Sequence, residues 1–197
     1  MNLITDILYW ITTGLLVPVV VFLLIFLFRS LIMVGGFYGQ YINRGKVNVK
    51  IRKMLDSQGV EQFLKEDFSK LGKGNQLSEF IKSIPAHRHS AEELDLIAGD
   101  YEISADKELG KSKLLVKIGP MLGLMGTLIP MGPALVGLAT GDIASMASNM
   151  QVAFATTVVG LIIAAVGFIT LQVKQRWYAD DINIIEYIIE TLKKGSK

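Results

Sequence analysis

Three stretches of this chain, residues 7–28, 118–141 and 147–173, contain no charged side chain at all. A hydrocarbon core about 30 Å thick is crossed by about 20 apolar residues in a helix, because lipid leaves the backbone to satisfy its own hydrogen bonds. Each stretch is long enough. Hydrophobic residues make up 51% of the 197 residues and the mean hydropathy is +0.43, too apolar for an ordinary soluble domain of this length. The reading is an all-α membrane protein with three transmembrane helices. Nothing basic precedes the first stretch and its apolar region is too long for a cleavable leader, so it is expected to stay as a span.

The cations set an expected orientation. Arg29, Arg44, Lys46, Lys50, Arg52 and Lys53 follow the first stretch, and Lys174, Arg176, Lys193, Lys194 and Lys197 follow the third. The other ends carry only Asp6 and Asp142. By the positive-inside rule the N-terminus lies outside, and the middle segment and tail form cytoplasmic helical extensions. The expected organisation is a first transmembrane helix with its extension (1–44), a cytoplasmic helical loop (45–117), the second and third transmembrane helices (118–173) and a cytoplasmic C-terminal helix (174–197). The basic run over 44–53 suits anionic lipid headgroups, where each cation contributes about 1 kcal/mol.

Within the loop, Val60, Phe63, Leu64, Phe68 and Leu71 fall at helical spacing. "GKGN" at 72–75 and Pro85 read as breaks. Ser90 and Glu93 match a capping box, so a helix is expected to start there, be interrupted near Gly99 and lead into the second span. In the tail, Ile182, Ile185, Ile189 and Leu192 share one face, which needs a partner helix. Asp180 and Asp181 read as the solvated side of that helix.

Several functions are disfavoured. The formal charge is only +2 and no aromatic-laced basic stripe exists, which argues against nucleic acid. There is no cysteine for a disulfide or thiolate site. His87 and His89 flank an arginine with no further ligand nearby, so no metal or other cofactor is expected. "LGKGNQ" lacks the spacing of a phosphate loop. No nucleophile–base pair supports an enzyme, and neither inverted repeats nor a charged midplane site support a substrate transporter.

The second and third stretches carry small residues at intervals of one turn. Gly119, Gly123 and Thr127 form one series, Gly126, Pro130 and Ala134 another, and Thr156, Gly160 and Ala164 a third. Lipid supplies no hydrophobic drive between helices, so small faces mark where backbones come close enough to attract by dispersion. Thr127, Thr156 and Thr157 place hydroxyls at membrane depth. Each hydroxyl has a plain packing role open to it, bonded to a carbonyl of its own helix; together they also have the makings of a polar spot between helices. Because none of the three stretches holds an acid or base, any proton carrier has to come from another polypeptide.

These residues resemble the MotA/TolQ/ExbB proton channel family. Its second-span pattern, Pro-x-x-Gly-Leu-x-Gly-Thr-hydrophobic, is supplied by Pro120, Gly123, Leu124, Gly126, Thr127 and Leu128, and its third-span pattern by Thr157, Val159 and Gly160. The Thr156–Thr157 pair is similar to the flagellar-stator branch, while three spans with the N-terminus outside resemble the TolQ/ExbB branch. The resemblance implies an oligomeric ring of about five copies, a homopentamer, around the single-span helices of an ExbD/TolR/MotB-like partner bearing a membrane Asp. It also implies a proton pathway lined by Thr127, Thr156 and Thr157, with Pro120, Gly123, Gly126, Pro130, Gly160 and Ala164 packing the pore wall. Many TolQ/ExbB-like members have a glutamate five residues before the third-span threonine; here that place is Val152, and Gln151 beside it is the neutral candidate for the role. The function implied is a stator or channel subunit that couples proton flow to mechanical work or transport. The alternative is a membrane scaffold whose threonines only pack.

Overall fold

A computed structural model of the chain describes residues 2–63, 76–84 and 91–195, and every regular element among them is helical. The helices are α1 (Asn2–Phe63), α2 (Gln76–Ser83), α3 (Ala91–Thr140) and α4 (Ile143–Gly195). Three of them, α1, α3 and α4, are long and apolar enough to cross a membrane, and each holds one of the uncharged stretches. They run to 62, 50 and 53 residues, so α1 and α4 do continue as helix past their apolar stretches. Pro18 in α1 and Pro120, Pro130 and Pro133 in α3 are carried without a break.

The expected interruption near Gly99 is absent, for α3 passes straight through it. An interior glycine costs a helix about 1 kcal/mol, and buried Leu94, Tyr101 and Ala105 on the same helix outweigh that. α3 is described from Ala91 onward. Ser90 itself lies outside the described residues, as do Leu64, Phe68, Leu71, "GKGN", Pro85, His87 and His89.

The helices contribute to two units. The first comprises Met1–Val34 and Lys111–Leu171. Its apolar centre is small: Val19 and Leu23 of α1, Leu115 of α3 and Ile163 of α4. Beside it, the buried Thr170 hydroxyl bonds the buried Ser112 hydroxyl at 3.2 Å, and both approach the sulfur of Met33, at 3.6 and 3.7 Å.

The turn joining α3 to α4 lies in this unit and is only Gly141 and Asp142. Gly141 takes φ +76°, a left-handed conformation that glycine adopts without a Cβ penalty. The Gly141 N–H donates to the Leu138 carbonyl at 3.2 Å and the Asp142 N–H to the Gly137 carbonyl at 2.8 Å, the paired bonds of a Schellman ending. The Asp142 carboxylate then accepts the Ser145 N–H at 3.0 Å and caps α4. Two residues thus close one helix and open the next.

The second unit comprises Gly35–Gly110 and Gln172–Lys197. Its core is larger and built from bulky side chains: Ile51, Leu55, Val60 and Phe63 from α1, Leu77, Phe80 and Ile81 from α2, Leu94 and Tyr101 from α3, and a run from Tyr178 to Leu192 on α4. On α2, Leu77, Phe80, Ile81 and the following Ile84 recur at helical spacing and all are buried. The apolar tail face expected from Ile182, Ile185, Ile189 and Leu192 is covered here by this chain's own helices, with Ile182 only partly buried.

Candidate functional site

The small residues of α3 and α4 meet backbone to backbone in the first unit. A Cβ built on Gly119 would stand 2.6 Å from the Gly160 carbonyl oxygen and 2.9 Å from the Ala164 nitrogen. One on Gly160 would lie 2.5 Å from the Gly119 carbonyl oxygen and 2.9 Å from the Gly123 Cα. Gly123 faces the backbone of Thr156 and Thr157 at about the van der Waals distance, its added Cβ falling 3.5 Å from each. No larger residue fits at this crossing without moving a helix, and what holds the two helices together there is dispersion between closely spaced backbones.

The threonines differ in setting. Thr156 is buried, and its side chain fills the space left by Gly126, where an added Cβ would lie 2.5 Å from its Oγ1. Its hydroxyl donates to the carbonyls of Val152 and Ala153 at 3.0 and 2.9 Å. Thr157 is half-buried and donates to the Ala153 carbonyl at 3.1 Å. Thr127, also half-buried, donates to the Leu124 carbonyl at 2.7 Å, three residues back. Every hydroxyl proton is therefore directed at its own helix, and every oxygen keeps lone pairs with which to accept. Thr156 joins the α3–α4 seam through Gly126; no direct hydrogen bond links Thr127 to either α4 threonine among the described residues. Gln151 and Pro120 are exposed, Ala164 is half-buried and Pro130 is fully buried. Pro130, lacking an N–H, cannot donate to the Gly126 carbonyl one turn back.

A buried cluster of titratable groups lies elsewhere, in the second unit. Asp181 is fully buried there, not on a solvated face as the sequence suggested; its neighbour Asp180 is the exposed one, 3.8 Å from Arg52. Arg44 pairs with Asp181 through Nη2 and Oδ2, Asn48 donates to Oδ1 at 3.1 Å, and the Tyr101 hydroxyl donates to Oδ2. The Arg44 guanidinium also lies 5.4 Å from the Trp177 ring centre and 4.9 Å from that of Tyr178, close enough for cation–π attraction. Burial pushes the Asp181 carboxyl above the usual carboxylate range, opposed by Arg44 and the Tyr101 and Asn48 bonds. Burial and the Asp181 charge push the Tyr101 phenol up in the same way, so it remains a donor. A second ion pair, buried Lys174 with half-buried Glu108 at 3.6 Å, lies in the same unit. The missed signal was spacing: Tyr178, Asp181, Ile185, Ile188 and Leu192 recur at helical intervals and are all buried.

Comparison with known families decides the class. The profile of the MotA/TolQ/ExbB proton channel family matches residues 56–186, about two thirds of the chain. This chain belongs to that family. The part matched as MotA/TolQ/ExbB contains α2, α3, most of α4, the glycine seam and all three threonines, while the first apolar stretch, Arg44 and Asn48 fall outside it. No curated protein matches the chain. Membership makes this a membrane protein of a proton channel family, with three helices able to span.

Proposed function

We propose that the chain is the ring-forming subunit of a proton-motive-force-driven motor. About five copies in the inner cell membrane, N-termini outside, surround the single-span helices of a partner that carries a membrane Asp. The carrying observation is a contrast within α3 and α4: the hydroxyls of Thr127, Thr156 and Thr157 sit among glycines and aliphatic groups, and residues 118–141 and 147–173 hold no titratable side chain. A site of this kind solvates a proton carrier but cannot be one. The partner's Asp takes a proton from the outer side and loses its charge. It then passes the hydroxyl oxygens, whose free lone pairs accept a hydrogen bond from the protonated carboxyl or from water, and releases the proton on the cytoplasmic side. Flow down the membrane potential, worth about 2.3 kcal/mol per charge per 100 mV, turns one component against the other and so performs mechanical work or transport.

Within this reading Thr127 and Thr157, both half-buried, line the pathway, with Gln151 near its outer end. Thr156, filling the space beside Gly126, holds the wall, as do Gly123, Gly160, Ala164, Pro120 and Pro130. The second reading, a scaffold whose threonines only pack, draws on the hydroxyls' bonds to their own helices.

The test has two stages. Co-expression with a co-encoded single-span protein bearing a membrane Asp, followed by native mass spectrometry, is expected to give a ring of several copies holding fewer partner chains. A stable monomer or dimer without partner favours the scaffold. In reconstituted vesicles Thr127→Val, which keeps shape and removes the hydroxyl, is expected to lower partner-dependent proton flux at least tenfold, equivalent to about 1.4 kcal/mol, with the assembly intact. Unchanged flux removes Thr127 from the pathway.

A further inference from the structure

Arg44 and Asn48 stand one turn apart on α1, so their side chains share a face. Both reach the Asp181 carboxylate on α4, Arg44 through Nη2 to Oδ2 and Asn48 through Nδ2 to Oδ1. Tyr101 from α3 adds its hydroxyl to Oδ2. The carboxylate is thus held by three donors, and its helix is tied to two others.

Two atoms of this cluster are left over. Arg44 Nη1 and Asn48 Oδ1 are buried and have no hydrogen-bond partner among the described residues, although the Arg44 side chain is only 10% exposed. Turning the Asn48 amide does not help, since its oxygen would then face the carboxylate and its bond to Asp181 would be lost. The Trp177 and Tyr178 rings lie near the guanidinium, but neither gives Nη1 a hydrogen-bond acceptor. What remains is one donor nitrogen, with two N–H bonds, and one acceptor oxygen, both carried by one turn of α1.

That combination selects its ligand. An anion would suit Nη1 but would face the Asn48 oxygen and the Asp181 carboxylate. A cation would suit the oxygen but would face the guanidinium. A neutral group that accepts and donates at once suits both, and water does this in the smallest volume, as internal waters commonly do at otherwise unmatched polar atoms. We infer that a single internal water bridges Arg44 Nη1 and Asn48 Oδ1 and closes a ring of hydrogen bonds through the Asp181 carboxylate.

A density map of the full chain in its assembled state, at a resolution that shows internal waters, tests this. The expected result is one peak about 3 Å from both atoms. It disappears in Arg44→Lys, which keeps the charge opposite Asp181 but has no second fork nitrogen, and in Asn48→Leu, which has no acceptor. The inference is overturned by a wild-type map that shows other internal waters but none here, or by direct Arg44–Asn48 contact. It is equally overturned by a peak that persists in both variants, or by one that bromide soaking replaces. The wild-type map decides even if a variant fails to fold, and none of these results depends on whether the ring carries protons.

Discussion

In the first unit α3 and α4 meet at Gly119 and Gly160, where there is no side chain to bury; in the second, the same two helices bury Leu94, Tyr101, Ile185 and Ile188 and a charged carboxylate. Burial of apolar area stabilises a fold only relative to water. A leucine moved from lipid to a helix interface changes little in free energy, so the unit rich in uncharged stretches relies on close approach and dispersion. The other unit gathers a bulky core, each large side chain of which is worth roughly 1.5–3 kcal/mol when removed from water. It also holds a buried ion pair, whose value lies in fixing register as much as in strength.

The contrast is broken most sharply at Asp181. Asp181→Ala leaves Arg44 buried without its counter-charge and is expected to cost about 3–5 kcal/mol in unfolding followed by circular dichroism. The apolar double variant Arg44→Met with Asp181→Leu is expected to recover most of that loss, because a pair replaced whole leaves no orphan charge.

Next is the glycine seam. Gly160→Ala drives a methyl into the Gly119 carbonyl and is expected to cost about 1–3 kcal/mol, read as a lower melting temperature of the detergent-extracted protein. Gly35→Ala, where an added Cβ meets nothing within 4 Å, is the matched control and should be neutral or stabilise by up to about 1 kcal/mol. Equal losses at both positions would mean that close approach is not what holds the first unit. Gly141→Ala tests the turn: at φ +76° a Cβ is expected to cost about 1–2 kcal/mol, read the same way.

The smallest effect is alkaline. Tyr101 has its phenol raised above the ordinary value of 10.0 in the fold, so the folded state holds that proton more tightly than the unfolded one. Its contribution is intact below the unfolded value and is lost as pH climbs through 10 toward the folded value. Unfolding free energy should therefore fall between about pH 9 and about pH 11. The slope should be shallower in Tyr101→Phe and not zero, because Tyr178 is raised too.

Much of the first unit was readable because lipid imposes a simple grammar: uncharged length gives the spans, and glycine at intervals of four gives the seam. The second unit was harder to read. Asp181 beside Asp180 has the look of a solvated pair, and the counter-charge that permits its burial lies 137 positions earlier, at Arg44. Single-helix periodicity shows that Asp181 falls on the buried stripe with Tyr178 and Ile185, but it cannot supply the partner. Gly99 misled for the opposite reason: glycine signals a break locally, and helix-long packing overrode it. The left-handed role of Gly141 depends on bonds to Gly137 and Leu138, although the glycine closing an apolar run before an acidic cap was in plain view.

The brevity of the Gly141–Asp142 turn has a mechanical side. Two residues of chain reach about 7 Å when fully drawn out, and both are already committed to closing one helix and capping the next. Sliding α3 along α4 by a single helical turn, about 5.4 Å, would tear out those caps and drag Gly119 off Gly160. The hairpin is therefore closed to slippage by a helical turn, so that a shift of α3 along its axis carries α4 with it.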